Sequence, residues 1–459
     1  MEPLQFILEA REQRANLKNQ KTLKGIPCVS LSLNVPGFPK SNSITDAFFS
    51  LCLTELKYFM KAHLVELQIN EAIEKCDAAG NFFIVSCSIE IKSLPWLKQI
   101  CEEFEENHSL GRFIDVDLND EQGNTISSGK SKLCFFCQDK PAIECRRENT
   151  HDPELLRSFM FSKMAGYCNQ NREYTIVKQL SSLGLKALLY EISLTPKPGL
   201  VDKFSNGSHQ DMNYQTFIDS SSAISPYFME LVSAGFSFQN SDLTKALPIV
   251  RNLGLRMESA MYDATSNVNT QKGLIFLMGL SLFACGKVFS QSDQFDVEQF
   301  KFVIREICKN LVSNELTGSF QSNSIQTKSH GESIYQKYGF SGARGEAESG
   351  FQTVFDFGLP LLAGDAKLND EAMIRSFLSI AAHNNDTNIL YRGGLQTLSI
   401  FQGLCKTALD NFTDQNYSAL TDYCNKENIS PGGSADLLAV TLFIWSVMNE
   451  TFLPFIQNK

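Results

Sequence analysis

Ser329 to Phe351 reads SHGESIYQKYGFSGARGEAESGF. The stretch holds one histidine (His330), three carboxylates (Glu332, Glu346, Glu348), one arginine (Arg344) and five glycines, with hardly any apolar run that would make it core. Glycines at this density let backbone amides approach a ligand, and amides on successive turn residues form a concavity for anions. The carboxylates, Glu332 and Glu346 foremost, can hold a magnesium ion or take a proton, and Arg344 can grip a phosphate in a fork. The plain alternative is a solvated, glycine-rich loop.

Segments of the same kind recur on both sides. Leu194 to Asp202 (LTPKPGLVD) presents Lys197 on a loop stiffened by two prolines, and Asp202, His209 and Asp211 gather at the entry to the next helix. Asn267 to Gly273 (NVNTQKG) carries Asn269 and Lys272, Asp386 to Gly394 carries Arg392 and Gly393, and Pro431 to Asp436 carries Ser434 and Asp436. From Glu173 onward the apolar spacing is that of helices of about ten to twenty residues, so these segments cap helices of an all-α domain. Helix starts favour anions through unpaired amides and the helix dipole, and several converging on one cleft would suit a triphosphate. Each segment has a bland reading: Lys272-Gly273 as a helix boundary, Ser434 as an N-cap, and the Phe and Leu stripes as core.

The preceding residues differ. Leu4 to Lys18 and Thr45 to Glu71 read as helices, Cys28 to Leu33 and Phe82 to Ile91 as strands. Gly111 to Leu118 (GRFIDVDL), taken as a strand, puts Ile114, Val116 and Leu118 on one face and Phe113, Asp115 and Asp117 on the other. Paired carboxylates repel unless a cation sits between them, and an Asp-x-Asp on a strand is how many nucleotidyl-transferring enzymes hold Mg²⁺ on a triphosphate. A solvated strand face before a turn is the alternative. Lys40 ends a rigid loop, Asn34 to Lys40, at a strand end where binding residues are common. Cys134, Cys137, Cys145 and His151 can be ligands of a structural Zn²⁺ or simply reduced cysteines. The expected organisation is therefore multidomain: an N-terminal α+β, nucleotidyltransferase-like domain over residues 1–168, then a larger all-α domain over residues 169–459.

Composition sets bounds. The chain of 459 residues is 43% hydrophobic and 20% charged, ordinary for a globular protein. A net charge of -10 argues against a nucleic-acid surface. The longest apolar runs, Leu274 to Cys285 and Leu437 to Met448, are about half the roughly 20 residues a membrane span needs, so buried helices and no membrane partner are expected. The start lacks signal-peptide order, and thirteen scattered cysteines suit a reduced, cytoplasmic setting.

The segments LTPKPGLVD, GSHQDM, VNTQKG, SHGE with GARGEAESGF, NILYRGG and PGGSADLLA resemble, in that order and across nearly all of residues 170 to 459, the triphosphoribosyl-dephospho-CoA synthase family. Residues 5 to 151, with REQR, LSLNVPGFPK, GRFIDVDL and CFFC followed by Cys145 and His151, look like the apo-citrate lyase phosphoribosyl-dephospho-CoA transferase. The whole resembles a bifunctional fusion of the two. Gln271 stands where the synthase family usually has histidine, Ser266 and Asn267 replace its preceding glycines, and Ser127-Ser128 replaces a Ser-Arg common in the transferase family.

The resemblance implies two consecutive reactions. ATP and dephospho-CoA combine, adenine leaves, and an α-linked ribosidic bond forms by one inverting displacement through an oxocarbenium-like state. Glu332, Glu346, Asp202 and Asp211 are its candidate base and metal ligands. Lys197, Lys272, Arg344 and Arg392 would neutralise triphosphate, with His209, Asn269, His330, Gly393, Ser434 and Asp436 as further substrate contacts. A serine of the apo citrate lyase acyl carrier protein then attacks the α-phosphorus and pyrophosphate departs. Here Asp115 and Asp117 would bind Mg²⁺, with Arg112 and Lys40 on phosphate. The rivals are an N-ribosyl hydrolase, a non-catalytic nucleotide-binding scaffold, and equivalent service to malonate decarboxylase.

Overall fold

The computed structural model describes residues 3–22, 25–88, 93–127, 132–317, 330–363 and 367–454. Ser128, Ser329 and the predicted strand end at Ile91 lie outside the described residues. The chain divides into two compact units, residues 1–172 and 173–454.

The first unit is built on an antiparallel sheet. Its strands are β1 (Cys28–Leu33), β2 (Glu66–Leu67), β3 (Ile73–Asp77), β4 (Gly80–Ser88) and β5 (Ile114–Asn119), in the order β2-β4-β1-β5 with β3 also paired to β4. Val29, Leu31, Phe83, Val85, Ile114, Val116 and Leu118 share a buried face. That face packs on α2 (Ser43–Ala62) through Phe48, Phe49, Leu53 and Leu56, and on α3 (Leu94–Asn107) through Leu97, Ile100 and Phe104. The opposite face buries Cys28, Phe82 and Ile84 against Leu17 of α1 (Pro3–Thr22). Asn42 and Thr45 start α2 with a reciprocal capping box.

Two expectations are corrected here. The predicted helix Thr45 to Glu71 stops at Ala62, because Leu64 adopts a left-handed φ of 59° and the amides of Leu64 and Val65 turn back to Lys61 and Met60. This is a helix-ending motif that usually advertises itself with glycine, absent at this point. The predicted strand Gly111 to Leu118 begins only at Ile114, since Gly111–Phe113 is a 3-10 turn, and Phe113 joins the apolar core rather than the aspartate face. Glycine is required at 111, where a Cβ would stand 1.7 Å from the Glu105 carbonyl oxygen.

After α4 (Ala142–Arg147) and α5 (Pro153–Ser193), the second unit is helical: α6 (Tyr214–Ile224), α7 (Tyr227–Ser237), α8 (Leu247–Ala264), α9 (Lys272–Phe289), α10 (Val297–Ile307), α11 (His330–Tyr338), α12 (Gly342–Ser349), α13 (Asp370–His383), α14 (Thr387–Asp410), α15 (Asp414–Lys426) and α16 (Gly432–Met448). α9 and α16 are apolar nearly all round and form its centre. α9 is long and apolar enough to cross a membrane by length and composition, and is mostly buried within this unit. It meets α7 backbone to backbone: a Cβ on Gly235 would lie 2.0 Å from the Phe283 carbonyl oxygen, and one on Gly286 would lie 2.2 Å from that of Val232. Burying these helices places their polar starts together at one end of the core.

Candidate active sites

In the second unit a cavity of about 390 Å³ is lined by the opening residues of five helices: Lys272 and Gly273 of α9, His330 of α11, Gly342 and Ala343 of α12, Thr387 and Asn388 of α14, and Gly432 and Gly433 of α16. The N-cap residues of α9, α12 and α16 make no side-chain cap; instead the Lys272 amide donates to Asn269 Oδ1 at 3.2 Å and the Ser434 amide to Asp386 Oδ2 at 2.8 Å. Helix starts that open on one cavity give it a positive rim suited to an anion.

Of the sequence-predicted residues, Lys197, His209, Asp211, Asn269, Lys272, His330, Glu346, Arg392 and Asp436 line this cavity. Lys197 is buried in an ion pair, its Nζ donating to Glu191 Oε1 at 2.6 Å and to the Glu191 carbonyl at 2.9 Å. Lys272 pairs with Glu258 at 2.7 Å. His209 bonds Ser430 Oγ through Nε2 at 2.9 Å with Asp211 3.7 Å from its Nδ1, and burial, then Arg392, lowers its pKa. Arg392 donates to the carbonyls of Ser208 and Asn428 at 3.1 and 3.2 Å. His330 stacks on Tyr391 at 3.8 Å between ring centroids.

Two carboxyls in the cavity are displaced from ordinary acidity. Burial raises Glu346, although Thr353 donates to both its oxygens at 2.7 and 2.9 Å. Asp436 lies well above the carboxylate range, through burial first and then the neighbouring Glu191 and Asp386 charges. Among the described residues no ion pair reaches it. Its Oδ2 sits 2.2 Å from where a Cβ would stand on Gly273, so only glycine admits the carboxyl to the start of α9.

Other predicted residues stand outside the lining. Asp202 accepts the amides of Lys197, Phe204 and Ser205 at 3.0, 2.8 and 2.9 Å, holding the proline loop. Ser434 is tied to Asp386 Oδ2 by its amide and hydroxyl at 2.8 and 2.9 Å. Arg344 donates to Glu315 at 2.7 Å. Glu332 lies on α11, and Gly393 precedes the kink at Gly394, where φ is 76°. Gln271, by contrast, lines the cavity and is a buried strut whose Oε1 accepts from Ser220 at 2.7 Å. Ser266 and Asn267 have φ of 54° and 67°, left-handed values that favour glycine. Glu191, Asn384, Asn385 and Asn388 line the cavity without having been anticipated. Glu191 occupies an ordinary helical position with no sequence signal; Asn388 stood within the flagged Asp386 to Gly394 segment.

The first unit has its own cavity, about 610 Å³, lined among others by Glu105, Arg112, Asp115, Asp117 and Lys132. β5 lies beside β1 with Asp115 opposite Ser32 and Asp117 opposite Ser30, so small side chains leave the carboxylates room. Asp117 accepts from Lys18 at 2.9 Å. Burial, then Asp117 and Glu105, raises the pKa of Asp115. This crowding of hard oxygen donors fits Mg²⁺. Arg112 donates to the Leu133 carbonyl through Nε at 3.1 Å and Nη2 at 2.7 Å. Lys40 lies outside this lining; its Nζ donates to the Val35 carbonyl, and burial, then Arg11, Arg146 and Arg157, lowers its pKa. All thirteen cysteines are free.

A carboxyl-bearing cavity ringed by helix starts in the second unit, and a sheet carrying an Asp-x-Asp in the first, are features of an enzyme that handles phosphorylated substrates. Residues 177–452 match the family described as ATP:dephospho-CoA triphosphoribosyl transferase, and residues 3–167 match apo-citrate lyase phosphoribosyl-dephospho-CoA transferase. Protein CitXG of Leuconostoc mesenteroides subsp. cremoris is 32% identical over 471 residues, covering 96% of each chain, and Protein CitXG of Haemophilus influenzae is 32% identical over 466 residues with the same coverage. A 2-(5''-triphosphoribosyl)-3'-dephosphocoenzyme-A synthase of Haemophilus ducreyi is 37% identical over 337 residues, 68% of this chain and 99% of that one. The chain belongs to the ATP:dephospho-CoA triphosphoribosyl transferase family, fused to an apo-citrate lyase phosphoribosyl-dephospho-CoA transferase domain, and is a bifunctional transferase.

Proposed function

We propose that the second unit joins ATP to dephospho-CoA with release of adenine, and that the first moves phosphoribosyl-dephospho-CoA onto a serine of the apo citrate lyase acyl carrier protein with release of pyrophosphate. The observation that carries this reading is the convergence of five helix starts on one cavity that also holds a carboxyl of raised pKa.

In the second unit the positive ends of the helices that open on the cavity, with Lys272 and Arg392, receive the triphosphate. The His330 ring, backed by Tyr391, offers a flat face to a purine. The ribosyl C–N bond to adenine breaks as a C–O bond to the ribose hydroxyl of dephospho-CoA forms. Asp436, whose burial and acidic neighbours raise its pKa well above the usual carboxylate value, donates a proton to departing adenine, while Asp211 or Glu346 takes the hydroxyl proton. Asp202, Ser434, Glu332, Gly393 and Arg344 shape the loops and helix starts behind these groups.

The first unit is nucleotidyltransferase-like in this reading. A carrier serine oxygen bonds to the α-phosphorus and the bond to pyrophosphate breaks. Asp115 and Asp117 would hold Mg²⁺, which when bound spreads the negative charge of the phosphates. Arg112 faces the same cavity, and Lys40 stands at the neighbouring strand end. We place both reactions in the cytoplasm, where free thiols stay reduced.

The test is mass spectrometry of apo acyl carrier protein incubated with this chain, ATP, Mg²⁺ and dephospho-CoA. A gain matching phosphoribosyl-dephospho-CoA is expected. Adenine release that proceeds equally without dephospho-CoA would instead mark an N-ribosyl hydrolase.

A further inference from the structure

Beside the aspartate cavity of the first unit, four side chains meet that neither proposed reaction uses. Leu133 and Pro141 pair as an isolated bridge, closing a small hairpin whose tip carries Cys134 and Cys137. The Cys134 amide donates to the Lys140 carbonyl at 2.9 Å, and Gln138, just past the second cysteine, is held at a left-handed φ of 60°. α4 then supplies Cys145, and His151 lies two residues before the start of α5. One ligand atom from each of Cys134, Cys137, Cys145 and His151 lies within 4.8 Å of all the others.

We infer that Cys134, Cys137, Cys145 and His151 form a tetrahedral Zn²⁺ site whose loop sets the position of Arg112 in the adjoining cavity. The Sγ atoms of Cys137 and Cys145 stand 3.6 Å apart. A disulfide needs about 2.05 Å. A tetrahedron with Zn–S bonds of about 2.3 Å has edges of about 3.8 Å, close to the observed separation. Three sulfurs and one imidazole are the soft, four-coordinate set that selects zinc over magnesium or calcium. His151 stands against the three sulfurs, and its buried Nε2 has no hydrogen-bond partner among the described residues, as suits an imidazole held by a metal rather than by protein groups.

Another cluster in the same unit shows what a self-sufficient arrangement looks like. Cys52, Glu55 and His108 also lie together. There, however, His108 Nε2 bonds Glu55 at 3.0 Å, Nδ1 accepts the Leu110 amide at 2.9 Å, and Tyr167 donates to the other Glu55 oxygen at 2.8 Å. Every nitrogen is used, and no ion is required.

The link to the reaction is a single carbonyl. Leu133, the residue before Cys134, accepts both hydrogen bonds of Arg112, and Lys132, one residue earlier, pairs with Glu105 of the cavity. With the ion bound the hairpin is pinned at its tip; without it Arg112 loses a fixed anchor. Arg112 is thus reached through a positioning group, and this consequence rests on the transferase reading whereas the metal site does not.

The test begins with elemental analysis of the full chain purified without added metal, where one zinc per chain is expected. Replacement by Co²⁺ should give the visible spectrum of a tetrahedral thiolate site. C137S and H151A should each lower zinc content and alter that spectrum, H151A providing the readout if C137S folds poorly. Both variants should reduce carrier modification about 10- to 100-fold, the size typical of lost support around a functional centre, and leave adenine release unchanged. A chain with neither zinc nor a cobalt spectrum overturns the site. Unchanged carrier modification in a zinc-free variant overturns the coupling to Arg112, whatever the metal content shows.

Discussion

The two cavities are made in opposite ways. In the first unit the acidic pair comes from one six-residue strand, β5, whose period of two points Asp115 and Asp117 away from Ile114, Val116 and Leu118. In the second, lining residues run from Glu191 to Leu437 and come chiefly from the starts of separate helices. A strand delivers its functional groups by local geometry alone. A helix start delivers only amides and a dipole, and becomes a site when packing brings several to one place. The strand site should therefore depend on its side chains, the helical site on its side chains and its core alike.

The sharpest break in this comparison is D115N. It should lower carrier modification about 1,000-fold, reflecting several kcal/mol of lost charge stabilisation, without changing adenine release measured by chromatography. Loss of both activities would refute the division of labour. Next is D436N, expected to slow adenine release about 100-fold while carrier modification from supplied triphosphoribosyl-dephospho-CoA is retained. If the acid form of Asp436 is the active one, the wild-type rate falls as pH rises through the elevated pKa. A pH profile of D436N that still shows this fall would remove Asp436 from that role.

Core dependence is probed by G286A, which forces a methyl against the Val232 carbonyl. Overpacking of this kind costs about 1–3 kcal/mol, so denaturant unfolding of the second unit should shift and adenine release should weaken, with carrier modification unaffected. The smallest effect concerns Asp77 in the first unit. Burial alone would raise its pKa, but Arg14, bonded to both its oxygens at 3.1 and 2.6 Å, helps hold it below the usual value. The pair therefore stabilises above the unfolded-chain pKa of about 3.9 and ceases to do so as pH falls through the lower folded value. D77N should cost about 1–2 kcal/mol at neutral pH and progressively less as pH falls through the lowered folded pKa, read by urea titrations across that range.

Much of the second unit's character was legible along the chain, because an all-round apolar run such as Leu274 to Cys285 has nowhere to go but a core, and a polar, glycine-bearing segment before it must be a helix start. The β5 face pattern was equally plain from Ile114 onward. The end of α2 was not, because Leu64 closes the helix in a conformation that its side chain does not announce. Nor was the turn at Gly111, whose cause is the Glu105 carbonyl on another element. Glu191 escaped notice for the same reason: its spacing in α5 is that of any helical residue, and only the pairing with Lys197 marks it.

What the amino-acid order determined by itself is everything carried by local periodicity and residue chemistry: an apolar α9 and α16, polar starts able to bind anions, paired aspartates on a strand, and four zinc-type ligands within one short segment. What the tertiary structure alone decided is which of these meet. Lys272, Glu346, Arg392 and Asp436 share a cavity while Asp202 and Arg344 serve the loops behind it, and His151 closes on three cysteines. The reason is physical: side-chain chemistry is inherited one residue at a time, whereas proximity, and with it the displaced acidity of Asp436, comes from the burial of distant apolar faces against each other.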